Sequence, residues 1–409
     1  MAACLIISLA AILVFDLTRP AIKPTPIVTP FTVSASLLPT AKPDQRVIKI
    51  SLGPTGRFGV YTNGPQLPAS VRNKFLTFSP TGDTSNTRIW LDGNTPIFGE
   101  GGKLTSLATQ GGVDRLVWEN GPLVVTQTLD YVIGPSGQGD TVRIQYDLAN
   151  RDKIPHQVGM RVLIDTLIGN NDGVPFVIPG QEGMVDKAID LGPGSLPDTI
   201  RALEKPDLSD PGVIINVRTK GAGATPPDRA VISTWYGKDM DWEFLPQAGG
   251  PGAFLRRDGK PEGQPDSVIG LYYNPQTLAP GAARRVVSYY GLGNLSSSAS
   301  GNKKLGLFAP GNVHEGDLFY ITAVVAQPQP GETLRLQLPD GLVLDKKEKA
   351  EKAVPFGNTD FTQVSWLVQA CKAGEKLKIE TSLSPGSIKE AILLKVEALG
   401  ITRPGGACP

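Results

Sequence analysis

The strongest constraint on this chain is a regular alternation of apolar and polar residues in its middle. Two runs, 142–148 and 158–165, place every second side chain on an apolar face. A period of two is typical of half-buried β-strands, because successive side chains point to opposite faces of a sheet. The pattern recurs in three further runs, 123–133, 267–273 and 285–292. These runs predict sheets that each hide one apolar face.

Helical patterns are scarce in the same region. Only 196–204 resembles a helix, with Pro197 near its start, where proline is tolerated. A stretch of about 250 residues with this periodicity cannot form alternating strand–helix units, and it must close into packed sheets or a barrel. We therefore predict an all-β protein whose main domain, 47–293, is a large antiparallel β-sandwich.

The N-terminus predicts an export or anchoring segment. The run 2–15 is uninterrupted apolar sequence that ends at Asp16, which is short for a membrane span and suits a signal-peptide core. Three interpretations remain: an uncleaved signal anchor, a signal peptide, or a transmembrane helix that starts upstream. We assign 1–17 to this apolar helix. We assign 18–46 to a linker, because the frequent prolines of that segment favour extended backbone.

Composition narrows the range of partners and compartments. The net charge of +1 among 409 residues argues against a nucleic-acid binder, which normally has a basic face. Two histidines and three scattered cysteines offer no zinc-site spacing. Because the N-terminus points to an oxidising compartment, we predict a disulfide between Cys371 and Cys408. We expect the protein at the cell envelope, outside the cytoplasm.

Two segments of the sequence resemble segments of known proteins. The segment 266–293, DSVIGLYYNPQTLAPGAARRVVSYYGLG, resembles the closing strands of the β-supersandwich of the galactose-mutarotase-like superfamily. The segment 165–180, DTLIGNNDGVPFVIPG, is similar to one in uncharacterised bacterial envelope proteins. The resemblance covers 47–293. After a polar linker, 294–304, the short strands of 305–409 resemble a smaller immunoglobulin-like β-sandwich.

The acidic turn that follows the central strands is a candidate calcium site. An EF-hand loop through this turn fails, because it would end at Pro179 instead of a glutamate. The sequence also allows an irregular Ca²⁺ site formed by side-chain oxygens of Asp165, Asn170 and Asp172. Ca²⁺ is the only cofactor that we consider. A tight turn whose residues adopt the left-handed backbone conformation explains the same residue types equally well.

A tryptophan cluster is the candidate carbohydrate site. Trp235 and Trp242, with Asp241, Glu243 and Asp165, combine rings on which sugars stack with carboxylates that accept hydroxyl hydrogen bonds. The competing interpretation is that these rings are core or rim aromatics of a sandwich.

Catalysis has weak support in the sequence. Mutarotase-type chemistry needs an acid and a base, usually a histidine and a glutamate. The only histidine of 47–293 is His156, in a turn where we expect it to face solvent. We therefore predict a non-enzymatic, membrane-tethered protein that binds carbohydrate or an envelope protein. The alternatives are a carbohydrate-active enzyme (epimerase, lyase or glycosidase-like) using Asp165, Glu182 and 235–242, and a purely structural surface component.

Overall fold

The described part of the chain is built almost entirely from antiparallel β-strands. The computed structural model describes residues 37–185, 188–235, 241–243, 266–357, 359–386 and 388–398, without the side chains of 106–108. One 3-10 turn, Pro43–Gln45, precedes the strands. The predicted all-β class is confirmed, while the predicted helix of 1–17 lies outside the described residues. Among the residues described, no helix is long and apolar enough to cross a membrane.

The N-terminal sandwich consists of two large sheets and a hairpin. Its strands are β1 (Ile48–Leu52), β2 (Phe58–Thr62), β3 (Asn86–Leu91), β4 (Lys103–Gln110), β5 (Val113–Asn120), β6 (Leu123–Val132), β7 (Thr141–Asn150), β8 (His156–Thr166), β9 (Phe176–Val177), β10 (Ile189–Leu191), β11 (Thr199–Leu203), β12 (Ile214–Arg218), β13 (Arg229–Thr234), β14 (Ser267–Leu278) and β15 (Ala283–Leu292). An eight-stranded sheet has the order β4-β5-β6-β7-β15-β12-β11-β9. A five-stranded sheet has the order β10-β13-β14-β8-β3, and β1 pairs with β2.

The predicted alternation produces the main core. Ile144 and Tyr146 of β7 and Met160 and Ile164 of β8 are buried in one cluster between the two sheets. Burying a large apolar side chain contributes about 1.5–3 kcal/mol, so this register is strongly favoured. The intervening residue Leu163 belongs to a separate cluster on the opposite, outer face of the five-stranded sheet.

The predicted helix at 196–204 is wrong. Thr199–Leu203 is β11, a strand between β9 and β12 in which every residue is buried. A strand covered on both faces loses its alternation, and periodicity then cannot separate it from a buried helical segment. Pairing of Thr199 with Arg218 and of Leu203 with Ile214 fixes its place in the sheet.

The C-terminal sandwich packs two five-stranded sheets. Its strands are β16 (Ser296–Ser300), β17 (Lys303–Phe308), β18 (Asn312–His314), β19 (Leu318–Ala326), β20 (Thr333–Gln337), β21 (Leu342–Leu344), β22 (Glu351–Ala353), β23 (Phe361–Ala370), β24 (Gly374–Ser384) and β25 (Ile388–Glu397). The sheets have the orders β16-β17-β19-β23-β21 and β18-β25-β24-β20-β22. Part of the segment predicted as a structureless linker, 294–304, is therefore strand β16, paired with β17. The immunoglobulin-like comparison for 305–409 stays a prediction.

The two sandwiches share a buried interface. Val177 and Leu203 of the first sandwich cluster with Phe308 and Val324 of the second. Arg218 of β12 also donates from one guanidinium nitrogen to the carbonyl oxygens of Pro310, at 3.1 Å, and Asn312, at 2.9 Å. Buried carbonyls need such donors, so these hydrogen bonds from Arg218 add to the apolar packing at the interface. The described residues of both sandwiches accordingly belong to one compact unit.

The predicted disulfide falls partly beyond the described residues. Cys371 follows strand β23 and is disulfide-bonded. Its predicted partner Cys408 lies in the C-terminal segment that the structure does not describe, so the pairing stays a prediction.

The interface predicts a large cost for truncating Phe308. This side chain is 0% exposed, and Phe308→Ala should lower the free energy of unfolding by about 3–5 kcal/mol, because it removes buried surface and leaves a cavity. Urea unfolding of the full chain measures the loss. Phe356→Ala is the matched control, since Phe356 is 59% exposed and should change stability by less than about 0.5 kcal/mol. Equal losses in both variants would contradict the buried interface.

Candidate functional site

Four strands of the five-stranded sheet begin or end on the same side of the sheet, where their termini lie close together. β8 ends there at Thr166, β14 begins at Ser267, β13 ends at Thr234, and β3 begins nearby at Asn86. The register places Ser267 opposite Thr166 and Thr234 opposite Ser267. Residues immediately beyond these ends are therefore neighbours in space, although some are a hundred positions apart in sequence.

The register brings two aspartates together on the outer face. Asp165 lies opposite Val268, and Asp266 lies two residues before Val268, so the two aspartates are diagonal neighbours on one side of the sheet. The fixing contacts come from Ser267, whose hydroxyl lies 2.7 Å from that of Thr166. Backbone pairing thus holds Asp165 and Asp266 close together.

A tight turn after β8 supplies a third aspartate. Ile168 and Asn171 exchange backbone hydrogen bonds of 2.9 and 3.0 Å, which closes the turn. Gly169 has φ +63°, and a Cβ there would lie 2.1 Å from the Glu204 carboxyl carbon, so only glycine fits. The backbone N–H and hydroxyl of Ser267 donate to the Asp172 carbonyl at 2.6 and 2.8 Å.

These elements produce a cluster of three carboxylates. One oxygen each of Asp165, Asp172 and Asp266 lies within 4.8 Å of the other two. Asp165 is 1% exposed, while the other two are half-buried. The Oδ1 atom of each is buried without a hydrogen-bond partner among the residues that the structure describes. Buried carboxylates normally have partners, so the burial of these three oxygens is not compensated by hydrogen bonds.

Burial makes all three carboxyls unusually reluctant to ionise. It raises the pKa of Asp172 to about 6. Burial also raises the pKa of Asp165, with the nearby Thr84 hydroxyl offsetting part of the rise. The pKa of Asp266 rises through burial and then through repulsion from the other two carboxylates. The cluster can therefore hold protons near neutral pH, or it can hold a cation in their place.

The predicted calcium ligands are only partly the ones brought together. Asp165 and Asp172 converge as expected, but Asn170 is exposed at the tip of the turn, where its backbone N–H donates to Glu204 Oε1 at 3.1 Å. Asp266 takes its place. Asp266 reaches the cluster because it lies directly before β14, the strand that pairs with β8. The sequence pattern shows the strand but does not reveal which strand it pairs with.

The predicted aromatic residues also lie on the outer face, packed against the sheet. The Trp242 ring is 5.2 Å from that of Trp90 and 5.6 Å from that of Tyr272, both edge to face. Trp235 is partly buried, and its Nε1 donates to the Thr84 carbonyl at 3.3 Å. The backbone N–H of Trp235 also donates to the Asp266 carbonyl at 3.0 Å, which links the aromatic cluster to the three aspartates.

Charged groups surround these rings. Asp241 is exposed, and its carbonyl accepts a hydrogen bond from Arg161. Arg229 lies 4.9 Å from the Tyr272 ring centre and bonds to Asp190 at 2.7 Å and to Glu243 Oε2 at 2.7 Å. Trp242, Asp241 and Glu243 therefore lie across the outer face of the sheet, as one strip.

Two residues considered for catalysis lie elsewhere. Glu182 is exposed and does not belong to the converging carboxylates. His156 is at the opposite end of β8, and the expectation that it faces solvent is wrong, since it is only 9% exposed. Its Nδ1 lies 2.6 Å from Asp92 and its Nε2 lies 3.2 Å from Asp152. These hydrogen bonds raise the pKa of His156 and clamp the start of the strand.

Comparison with known proteins gives distant structural neighbours. No family model and no curated protein matches the sequence. A polysaccharide lyase is 11% identical, with a TM-score of 0.33, over 86% of this chain and 46% of its own. This chain thus spans about half of that lyase.

Smaller neighbours are matched over almost their whole length. A galactose mutarotase related enzyme from Lactobacillus acidophilus is 10% identical over 63% of this chain and 98% of its own, with a TM-score of 0.35. A galactose mutarotase-like protein from Lactobacillus casei is 10% identical over 62% and 99%, with a TM-score of 0.37. The neighbours named here are thus a polysaccharide lyase and galactose mutarotase-like proteins, each at 11% identity or lower.

The raised pKa values predict that the aspartate cluster destabilises the fold as pH rises. The native state holds these protons to higher pH than the unfolded chain, whose aspartates have a pKa of about 3.9. Stability from this source is therefore full below about pH 4 and falls as pH rises through the raised pKa values, including that of Asp172 at about 6.

Asp266→Asn tests this directly, because an asparagine has no proton to lose and adds no charge to the cluster at any pH. In buffer containing a chelator at pH 8, the variant should be more stable than the wild type by at least about 1 kcal/mol. Its loss of stability between pH 5 and 8 should also be smaller. Asp340→Asn is the control, since that side chain is 95% exposed. Parallel pH profiles for wild type and Asp266→Asn would contradict the raised pKa values in this cluster.

Proposed function

We propose that this protein binds carbohydrate at the cell envelope without transforming it, and that the ligand rests on the outer face of the five-stranded sheet. One observation carries the proposal: an aromatic cluster and a charge cluster lie side by side on that face. Trp90 and Trp242, which are partly exposed, supply the rings, with the buried Tyr272 packed edge to face beneath Trp242. Arg229 lies between two carboxylates.

This combination suits the two kinds of surface that a sugar presents. The C–H face of a sugar ring packs on aromatic side chains, while its hydroxyls need fixed donors and acceptors. Trp242 is partly exposed. The Asp190 and Glu243 side chains are 39% and 56% exposed, so they keep oxygen lone pairs that face solvent. Arg229 holds both carboxylates in place.

The envelope location rests on the sequence alone. The apolar run 2–15 and the prolines of 20–43 are typical of a segment that anchors or exports a domain and of an extended stalk behind it. A tether of this kind would present the sheet face outside the cytoplasm, where extracellular glycans are found.

A carbohydrate-active enzyme is the second candidate, favoured by the three aspartates. A protonated carboxyl next to an ionised one can supply an acid and a base to the same reaction. Against this role, Asp165 is 1% exposed, so a sugar ring would reach it only after the surrounding residues had moved. We therefore place the binding proposal first.

A glycan array with the full chain tests the binding proposal. The wild type should bind at least one glycan, and Trp242→Ala should weaken that binding about five- to thirteenfold, because one ring contributes roughly 1–1.5 kcal/mol. Phe356→Ala should bind like the wild type, since Phe356 is an exposed ring in the C-terminal sandwich. Absence of binding by folded protein, or equal binding by Trp242→Ala, would overturn the proposal.

Any bound glycan should then be recovered intact. Release of shorter or unsaturated products by the wild type, lost in Asp266→Asn, would favour the enzyme instead.

A further inference from the structure

We propose that Asp165, Asp172 and Asp266 bind a divalent cation of the size of Ca²⁺. The proposal is independent of carbohydrate binding on the sheet face. It uses an aspartate, Asp266, that the acidic turn alone does not contain.

The spacing of the carboxylate oxygens suits this ion. One oxygen of each aspartate lies within 4.8 Å of the others. Calcium–oxygen distances are about 2.3–2.6 Å, so two ligands on opposite sides of one Ca²⁺ can lie about 5 Å apart. Mg²⁺, with bonds of about 2.0–2.1 Å, spans only about 4 Å and demands stricter geometry. A single Ca²⁺ can therefore contact all three aspartates with little movement.

An independent observation points to a missing ligand. Asp165 is 1% exposed, yet its Oδ1 has no hydrogen-bond partner within the described part of the chain. Oδ1 of Asp172 and Oδ1 of Asp266 are also buried and unpartnered there. An unpartnered buried polar group costs about 1–3 kcal/mol, and more if it is charged. An ion bound by these three carboxylates would give all of them a partner.

The local charge is also uncompensated. No Lys, Arg or His of the described ranges forms an ion pair with any of the three aspartates, although ion pairs are common elsewhere on the sandwich. Three like charges in a partly buried cluster repel one another strongly. A divalent cation would remove most of that repulsion, which no side chain in the described cluster does.

The bound ion would join three separate parts of the chain. Asp165 ends strand β8, Asp172 lies in the turn after it, and Asp266 precedes β14. The remaining coordination positions would be taken by water and the Thr84 hydroxyl, since Ca²⁺ takes six to eight oxygen ligands. Because the ion binds only when these parts are assembled, it should stabilise the folded protein.

Calorimetric titration tests the site with the full chain, stripped with a chelator and then returned to chelator-free buffer at pH 7.5. We expect one Ca²⁺ per chain, binding at least tenfold tighter than Mg²⁺, and a rise in Tm with Ca²⁺. Asp165→Asn and Asp266→Asn should each weaken Ca²⁺ binding at least tenfold. The control Asp340→Asn should bind like the wild type.

Tb³⁺ luminescence locates the ion. Tb³⁺ takes oxygen ligands like Ca²⁺ and emits when a nearby tryptophan is excited, and Trp235 bonds through its backbone to Asp266. Trp235→Phe should therefore lower the emission severalfold and leave the calorimetric Ca²⁺ affinity unchanged. If Asp165→Asn does not fold, Asp172→Asn in the half-exposed turn replaces it, with circular dichroism as the check.

Folded wild type that binds no Ca²⁺, or aspartate variants that bind it as tightly as the wild type, would overturn the proposal. Either outcome leaves the glycan experiment unaffected. Loss of glycan binding in Trp242→Ala with normal Ca²⁺ affinity would likewise separate the two sites.

Discussion

The antiparallel register between β8 and β14 is the constraint on which the rest of the site depends. It pairs Thr166 with Ser267 and Val162 with Leu271, which sends Ile164 and Met160 into the core between the sheets. A shift by one residue would turn these side chains to the outer face and lose several kcal/mol of burial. The register is therefore fixed by apolar packing. The same register determines which residues are neighbours on the outer face.

What the register creates on that face is an electrostatic conflict. Asp165 and Asp266 become neighbours, and the turn closed by Ile168 and Asn171 adds Asp172. A protein selected for stability alone would place neutral or opposite charges there. Local conflicts of this kind in an otherwise consistent fold are expected mainly at functional sites. This is why the cluster, and not the well-satisfied pair of His156 and Asp92, is the better candidate for a ligand.

The parts of this account that the sequence predicts follow from local rules. The alternation in 142–148 and 158–165 predicts β7 and β8, because a half-buried strand has a period of two. The sequence of strand β11 predicts a helix wrongly, since burial on both faces removes that period. Asp266 was missed for a different reason: its proximity to Asp165 depends on pairing between segments a hundred residues apart. Trp242 was found, but sequence alone could not show that its ring packs against Trp90 and Tyr272.

Anomalous diffraction from crystals of the full chain grown with Tb³⁺ tests whether the three aspartates bind one cation. We expect one strong anomalous peak about 2.3–2.6 Å from oxygens of Asp165, Asp172 and Asp266, with β8 and β14 in the register described. Three aspartates that point away from one another, or a peak only at other carboxylates, would contradict this expectation.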